Sequence, residues 1–212
     1  MEKKFNRFSV PLGLLDYINP ILYTITMVTV IRNTRETMDR PYWILLLIGA
    51  AISIFAGFII PTGKVLVGMG KIKFVMPVPL VFCVNAGILL SGLMLFLHVI
   101  NPGLILFLVL IGAIVSFLWM TYSKGGKLNT VAVLTGAAGY LLLYISLIVL
   151  SVQKGVAVPV VLYAAAILLF VMLCGIGIKA DLKNPKVHWT IEISNVMCQL
   201  LVAVATVVLF AA

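Results

Sequence analysis

Long apolar runs follow one another along almost the whole chain, and they constrain its fold more than any other feature. A helix needs about 20 predominantly apolar residues to cross the hydrocarbon core of a membrane. Backbone polar groups find no water there, so each crossing segment must satisfy its own hydrogen bonds as a helix. The sequence predicts an all-α integral membrane protein with one polytopic domain, 1–212, and seven spans at about 9–31, 42–61, 78–100, 103–122, 130–152, 157–178 and 187–212.

Composition excludes a soluble fold of this length. Apolar residues make up 63% of the chain and charged residues 10%, whereas soluble proteins contain roughly 45–50% and about 25%, respectively. A soluble domain of this size needs a polar surface that these residues cannot provide. A lipid environment removes that requirement.

Lysine and arginine residues are distributed unevenly between the predicted loops. With seven spans and a cytoplasmic N-terminus, eleven of the fifteen basic residues face the cytoplasm. Cytoplasmic loops are enriched in these residues, so the bias predicts a cytoplasmic N-terminus and an external C-terminus. The formal net charge of +9 then indicates contact with anionic membrane lipids and argues against nucleic acid as a partner.

The loop predicted after the second span carries three of these basic residues. Pro61 marks the expected end of that span, because proline costs least at a helix boundary. The stretch 63–74 is therefore predicted to form a cytoplasmic loop. Its lysines are candidates for binding lipid headgroups, namely Lys64, Lys71 and Lys73.

Two predicted spans carry a stripe of polar residues along one helical face. On the first, Asp16, Asn19 and Tyr23 follow the i, i+3, i+7 spacing of one face. On the seventh, the stripe consists of His188, Glu192, Asn195 and Gln199. An ionised side chain at the bilayer centre costs about 2.5–3.5 kcal/mol on insertion scales, so intramembrane carboxylates usually mark a functional site.

Asn85, on the third span, starts from the same side of the membrane and could join these two stripes. All of these residues are candidates for binding a substrate or an ion in the cytoplasmic half of the bundle. They could equally be polar cross-links between helices, which contribute about 0.6 kcal/mol per pair.

No metal site or cofactor is predicted. His98 and His188 fall at opposite ends of their spans, so a bilayer would separate them. Cys83, Cys174 and Cys198 lie in apolar runs without the spacing of a zinc or redox motif.

Three functions remain compatible with the sequence. The leading hypothesis is a small-molecule or ion transporter whose site contains Asp16 or Glu192. The second is a membrane-embedded enzyme acting on a lipid-like substrate, with His188 and Glu192 as acid–base partners. The third is a non-catalytic subunit or assembly factor with a membrane protein partner. Short loops are typical of a protein of the bacterial cytoplasmic (inner) membrane.

Overall fold

The computed structural model of the protein describes residues 9–71, 78–100, 128–179 and 185–212. All of its regular elements within these ranges are helices. They are α1 (Val10–Asp16), α2 (Ile18–Thr34), α3 (Arg40–Gly68), α4 (Val78–Ile100), α5 (Leu128–Gln153), α6 (Ala157–Lys179) and α7 (Pro185–Ala211).

Helices of spanning length are compatible with the predicted class of protein. Within the described ranges, five segments are long and apolar enough to cross a membrane, and the α1–α2 pair counts as one of them. A shorter apolar helix, Ala157–Leu173, belongs to α6. These helices indicate a multi-pass membrane protein. The predicted span 103–122 lies outside the described residues.

The first predicted span is two helices, α1 and α2, which meet at Tyr17. Pro20 explains the break, since it has no N–H to donate to the carbonyl of Asp16 and its ring crowds that carbonyl. The hydroxyl groups of Tyr17 and Thr62 lie 2.6 Å apart and tie this break to α3.

The second predicted span is longer than expected, and its predicted end was wrong. Pro61 lies inside α3, which continues to Gly68. A proline removes one helical hydrogen bond, but nearby hydroxyl groups make such a position tolerable in a membrane helix. Here the Thr62 hydroxyl donates to the carbonyl of Phe58 at 2.7 Å.

Polarity is arranged as expected for a protein surrounded by lipid. Many large apolar side chains are exposed, with Phe55 at 73% and Leu168 at 68%. Hydroxyl residues such as Thr26 and Ser91 are fully buried, and they donate to carbonyls one turn back in their own helices. Buried hydroxyls are thus satisfied locally.

Small residues allow the helices to approach closely, as is common in membranes. Gly49 packs against Ser91, and the Ser53 hydroxyl donates to the carbonyl of Val84 at 2.9 Å, which makes α3 and α4 antiparallel neighbours. Gly136 lies against Asn85 and Gly139 against Leu89. Because both residue numbers rise together, α4 and α5 are parallel neighbours.

Replacing Gly139 with alanine is expected to destabilise the protein. A Cβ at this position would lie 2.6 Å from the Cα of Leu89, so the two helices must separate, at a cost of about 1–3 kcal/mol. Denaturant titration of the purified protein measures the change. Val133→Leu also enlarges a side chain on α5, but on its exposed side, and should leave stability unchanged. Equal stability of both variants would contradict the close contact.

Candidate functional site

A buried cluster of three charged side chains joins three helices at one end of the bundle. The Nζ atom of Lys64 lies 2.7 Å from Asp16 Oδ2 and 2.7 Å from Glu192 Oε1. Lys64 is 5% exposed, and each acid is 8% exposed. The ammonium group therefore connects α3 to both α1 and α7. We call these residues the ion cluster.

Glycines bring α1 and α3 close enough for this contact. A Cβ on Gly13 would lie 2.8 Å from Val65 Cγ2, and one on Gly68 would lie 2.7 Å from the backbone nitrogen of Val10. The two helices run antiparallel, so the end of α1 meets the last two turns of α3. This packing places Asp16 beside Lys64.

The ion cluster contains two carboxylates and one ammonium group. With all three groups ionised, two carboxylates face one ammonium, which leaves one net negative charge. Taking ions out of water costs several kcal/mol each, and only close pairing or hydrogen bonds offset that cost. Asn19 contributes one such bond, donating from Nδ2 to Asp16 Oδ1 at 3.1 Å.

A cavity of about 250 Å³ adjoins the ion cluster and extends toward the middle of the helices. It is partly open to the outside of the bundle. Asp16 stands at the end where the ion cluster lies, and Tyr23 and Ile88 lie near the midpoints of their spans. The lining residues are Asp16, Asn19, Pro20, Tyr23, Ser53, Gly57, Ile60, Val81, Val84, Asn85, Ile88, Tyr140 and Asn195.

Two prolines release backbone carbonyls at the cavity wall. Pro20 removes the N–H that would bind the carbonyl of Asp16, and Pro61 removes the one that would bind the carbonyl of Gly57. Asp16 and Gly57 both line the cavity. Two residues of the wall therefore have carbonyls that lack the usual helical donor.

Some buried polar atoms in this region have no hydrogen-bond partner among the described residues. They are Asn19 Oδ1, the Tyr23 hydroxyl and Gln199 Oε1. Tyr23 is only 5% exposed, and its hydroxyl lies near the side chains of Ser53 and Ser91. Buried polar groups are nearly always paired. Asn19 and Tyr23 line the cavity, so their oxygens are open to hydrogen bonds with water or a solute inside it.

The structure brings most of the predicted polar residues together. Asp16, Asn19 and Tyr23 of the first stripe line the cavity, as do Asn85 of α4 and Asn195 of α7. Glu192 reaches Asp16 through Lys64. Gln199 is buried further along α7, whereas His188 is half-buried one turn before Glu192.

Lys64 is the main correction to the sequence analysis. It was predicted to lie at the lipid surface in a loop, but α3 continues past it and its ammonium group is buried between two carboxylates. Lys71 is exposed just beyond the end of α3. Its binding to lipid headgroups stays a prediction. Lys73 lies outside the described residues.

Sequence reasoning missed Ser53 and Tyr140, which also line the cavity. Neither belongs to a polar stripe, so their helices gave no periodic signal. Lys64 did give a signal, although not a periodic one, because it is an isolated charge between the apolar stretches 58–60 and 65–67. An isolated lysine in that setting needs a buried partner.

Comparison of the chain with protein-family models, with curated proteins and with solved structures finds no match. Among the described residues, no group of three or more His, Cys, Asp or Glu side chains could hold a metal ion.

Proposed function

We propose that this protein transports a small polar solute across the membrane and binds it in the cavity beside the ion cluster. The observation that carries the proposal is a cavity with several polar side chains in a mainly apolar wall, which begins at buried charges and reaches the middle of the helices. Ionisable groups inside a membrane usually mark a substrate or ion pathway. A purely structural cross-link needs no cavity beside it.

The interrupted first span supports the same proposal. Transporters commonly place their substrate near the membrane midplane, where broken helices expose backbone groups to it. The break between α1 and α2 adjoins the cavity, and Pro61 interrupts the hydrogen bonding of α3 at the same wall.

We further propose that the chain crosses the membrane seven times, with the N-terminus in the cytoplasm and the C-terminus outside. The parallel packing of α4 and α5 supports an odd number of crossings between them, since the chain must return to the first side before α5 begins. The distribution of basic residues supports the orientation. The ion cluster would then lie in the cytoplasmic half of a bacterial cytoplasmic membrane.

Closing the cavity is expected to stop transport. Gly57 lines the cavity, and a Cβ added there meets Pro20 Cβ at 3.4 Å, an ordinary contact. Gly57→Leu therefore fits the backbone but fills part of the cavity. Uptake should fall about tenfold or more, which corresponds to a loss of about 1.4 kcal/mol in the binding free energy of the solute. Proteoliposomes given a panel of labelled amines, amino acids, sugars and carboxylates measure this uptake.

Ala51→Leu is the matched control, because it creates the same side chain on the exposed side of α3. Uptake of one solute class that survives Ala51→Leu and is lost in Gly57→Leu supports the transporter. Equal uptake by both variants contradicts the proposed site. No uptake of any solute by the wild type, together with stable co-purification of another membrane protein, would favour the non-catalytic subunit instead.

A further inference from the structure

We infer that the solute is a small protonated amine whose ammonium group binds beside Asp16. This inference rests on the proposed transport function and names its substrate class. Three properties of the cavity point to it, namely the charged groups at its end, its hydrogen-bond acceptors and its aromatic wall.

Charge favours a cation. The ion cluster holds one more carboxylate than ammonium groups, and Asp16 is its only member in the cavity wall. One monovalent cation in the cavity would bring the cluster to neutrality, whereas an anion would add a second uncompensated charge in a medium of low dielectric constant.

Acceptors at the wall favour a cation that carries N–H groups. Asn19 Oδ1 is buried without a partner among the described residues, and one of its two Nδ2 hydrogens is donated to Asp16. The carbonyls of Asp16 and Gly57 have lost their helical donors to Pro20 and Pro61. A primary ammonium has three donors, which these oxygens and the Tyr23 hydroxyl can accept.

Aromatic rings and volume favour an organic cation over a metal ion. Tyr23 and Tyr140 both line the cavity, with ring centroids 6.3 Å apart in an edge-to-face arrangement. Aromatic faces attract cations within about 6 Å. The volume of about 250 Å³ corresponds to roughly eight water molecules at about 30 Å³ each, which is far more than a dehydrated alkali ion occupies.

Calorimetric titration of the purified full-length protein tests the inference without any transport assay. The probes are methylammonium, butylammonium and ethanolammonium, compared with tetramethylammonium, butyrate, butanol and potassium. At least one primary ammonium is expected to bind about tenfold more tightly than any comparison compound, the effect of one charge-assisted hydrogen bond.

Asp16→Asn should weaken that binding by about tenfold or more, whereas Glu36→Gln should leave it unchanged. Glu36 makes a suitable control because it is an exposed acid beyond the other end of α2. If Asp16→Asn does not fold, the comparison of butylammonium with tetramethylammonium on the wild type still tests the need for N–H donors.

Failure of this inference is distinguishable from failure of the transporter proposal. Amine binding without uptake by proteoliposomes supports the inference and contradicts transport. If the protein takes up a neutral or anionic solute and Gly57→Leu abolishes that uptake, transport is supported and the inference of an amine substrate is overturned. The inference of an amine substrate is also overturned if no primary ammonium binds, or if butyrate or tetramethylammonium binds as tightly as the best primary ammonium.

Discussion

Replacing Lys64 with methionine is expected to lower the free energy of unfolding by about 3–5 kcal/mol, as breaking a buried ion pair does. Methionine keeps most of the volume of the lysine but removes its charge. Asp16 and Glu192, each now within reach of Lys64 Nζ at 2.7 Å, would then face each other without a cation. Denaturant titration of the purified protein measures the loss.

A rescue experiment separates lost charge pairing from lost packing. Adding Asp16→Asn and Glu192→Gln to Lys64→Met removes every charge of the ion cluster while its shape is nearly preserved. Replacing a whole buried ion cluster by hydrophobic residues of similar volume is often neutral for stability, and Asn, Gln and Met together likewise leave no buried charge unpaired. The triple variant should therefore recover most of the loss that the single variant shows.

Lys71→Met is the matched control, since it removes an exposed lysine just beyond the end of the same helix. Its unfolding free energy should stay within about 0.5 kcal/mol of the wild type. An unaltered stability in Lys64→Met would show that the ion cluster is not formed. If the triple variant is as unstable as Lys64→Met, the lost stability comes from packing and not from charge pairing.

The position of the helices was predictable because it depends on local sequence. Hydropathy gives the length of each crossing segment directly, so the predicted span 78–100 coincides with α4 and the span 157–178 nearly coincides with α6. Helical spacing also placed Asp16, Asn19 and Tyr23 on one face, and they do face the cavity.

The extent of α3 could not be predicted from the same signals. Proline normally ends a helix, and a lysine three residues later reads as the start of a loop. Both interpretations fail because of tertiary contacts, since two carboxylates on α1 and α7 neutralise Lys64 inside the bundle. Such a contact joins residues 128 positions apart, which no local pattern reveals.

The cavity itself depends on how the helices pack. Tyr140 on α5 lies near Tyr23 on α2, a contact between residues far apart in the chain, and α5 carries no polar stripe. One part of the site was nevertheless readable from single residues. A proline within an apolar span releases the carbonyl four residues earlier, so Pro20 and Pro61 point to Asp16 and Gly57.

The ion cluster thus has two roles that substitutions can separate. Lys64 holds α1, α3 and α7 together, so its removal affects stability first. Asp16 also faces the cavity, whereas Glu192 lies behind it and contacts Lys64. The two carboxylates should therefore differ in their effect on the solute although they share one partner.

Asp16→Asn is accordingly expected to lower solute uptake by roughly 10- to 100-fold, because a hydrogen bond to a charged group contributes about 1.5–3 kcal/mol. Asparagine keeps the shape of the side chain and can still accept from Lys64. Initial uptake rates in proteoliposomes, normalised to the amount of folded protein, measure the effect.

Glu192→Gln should lower uptake by less than about tenfold, because Asp16 still presents its carboxylate to the cavity. Glu36→Gln, outside the bundle, should not change it. An uptake rate of the Asp16→Asn protein equal to that of the wild type would show that Asp16 does not belong to the binding site. If Glu192→Gln lost as much uptake as Asp16→Asn, direct contact of the solute with Asp16 would be contradicted, since the total charge of the ion cluster would then govern binding.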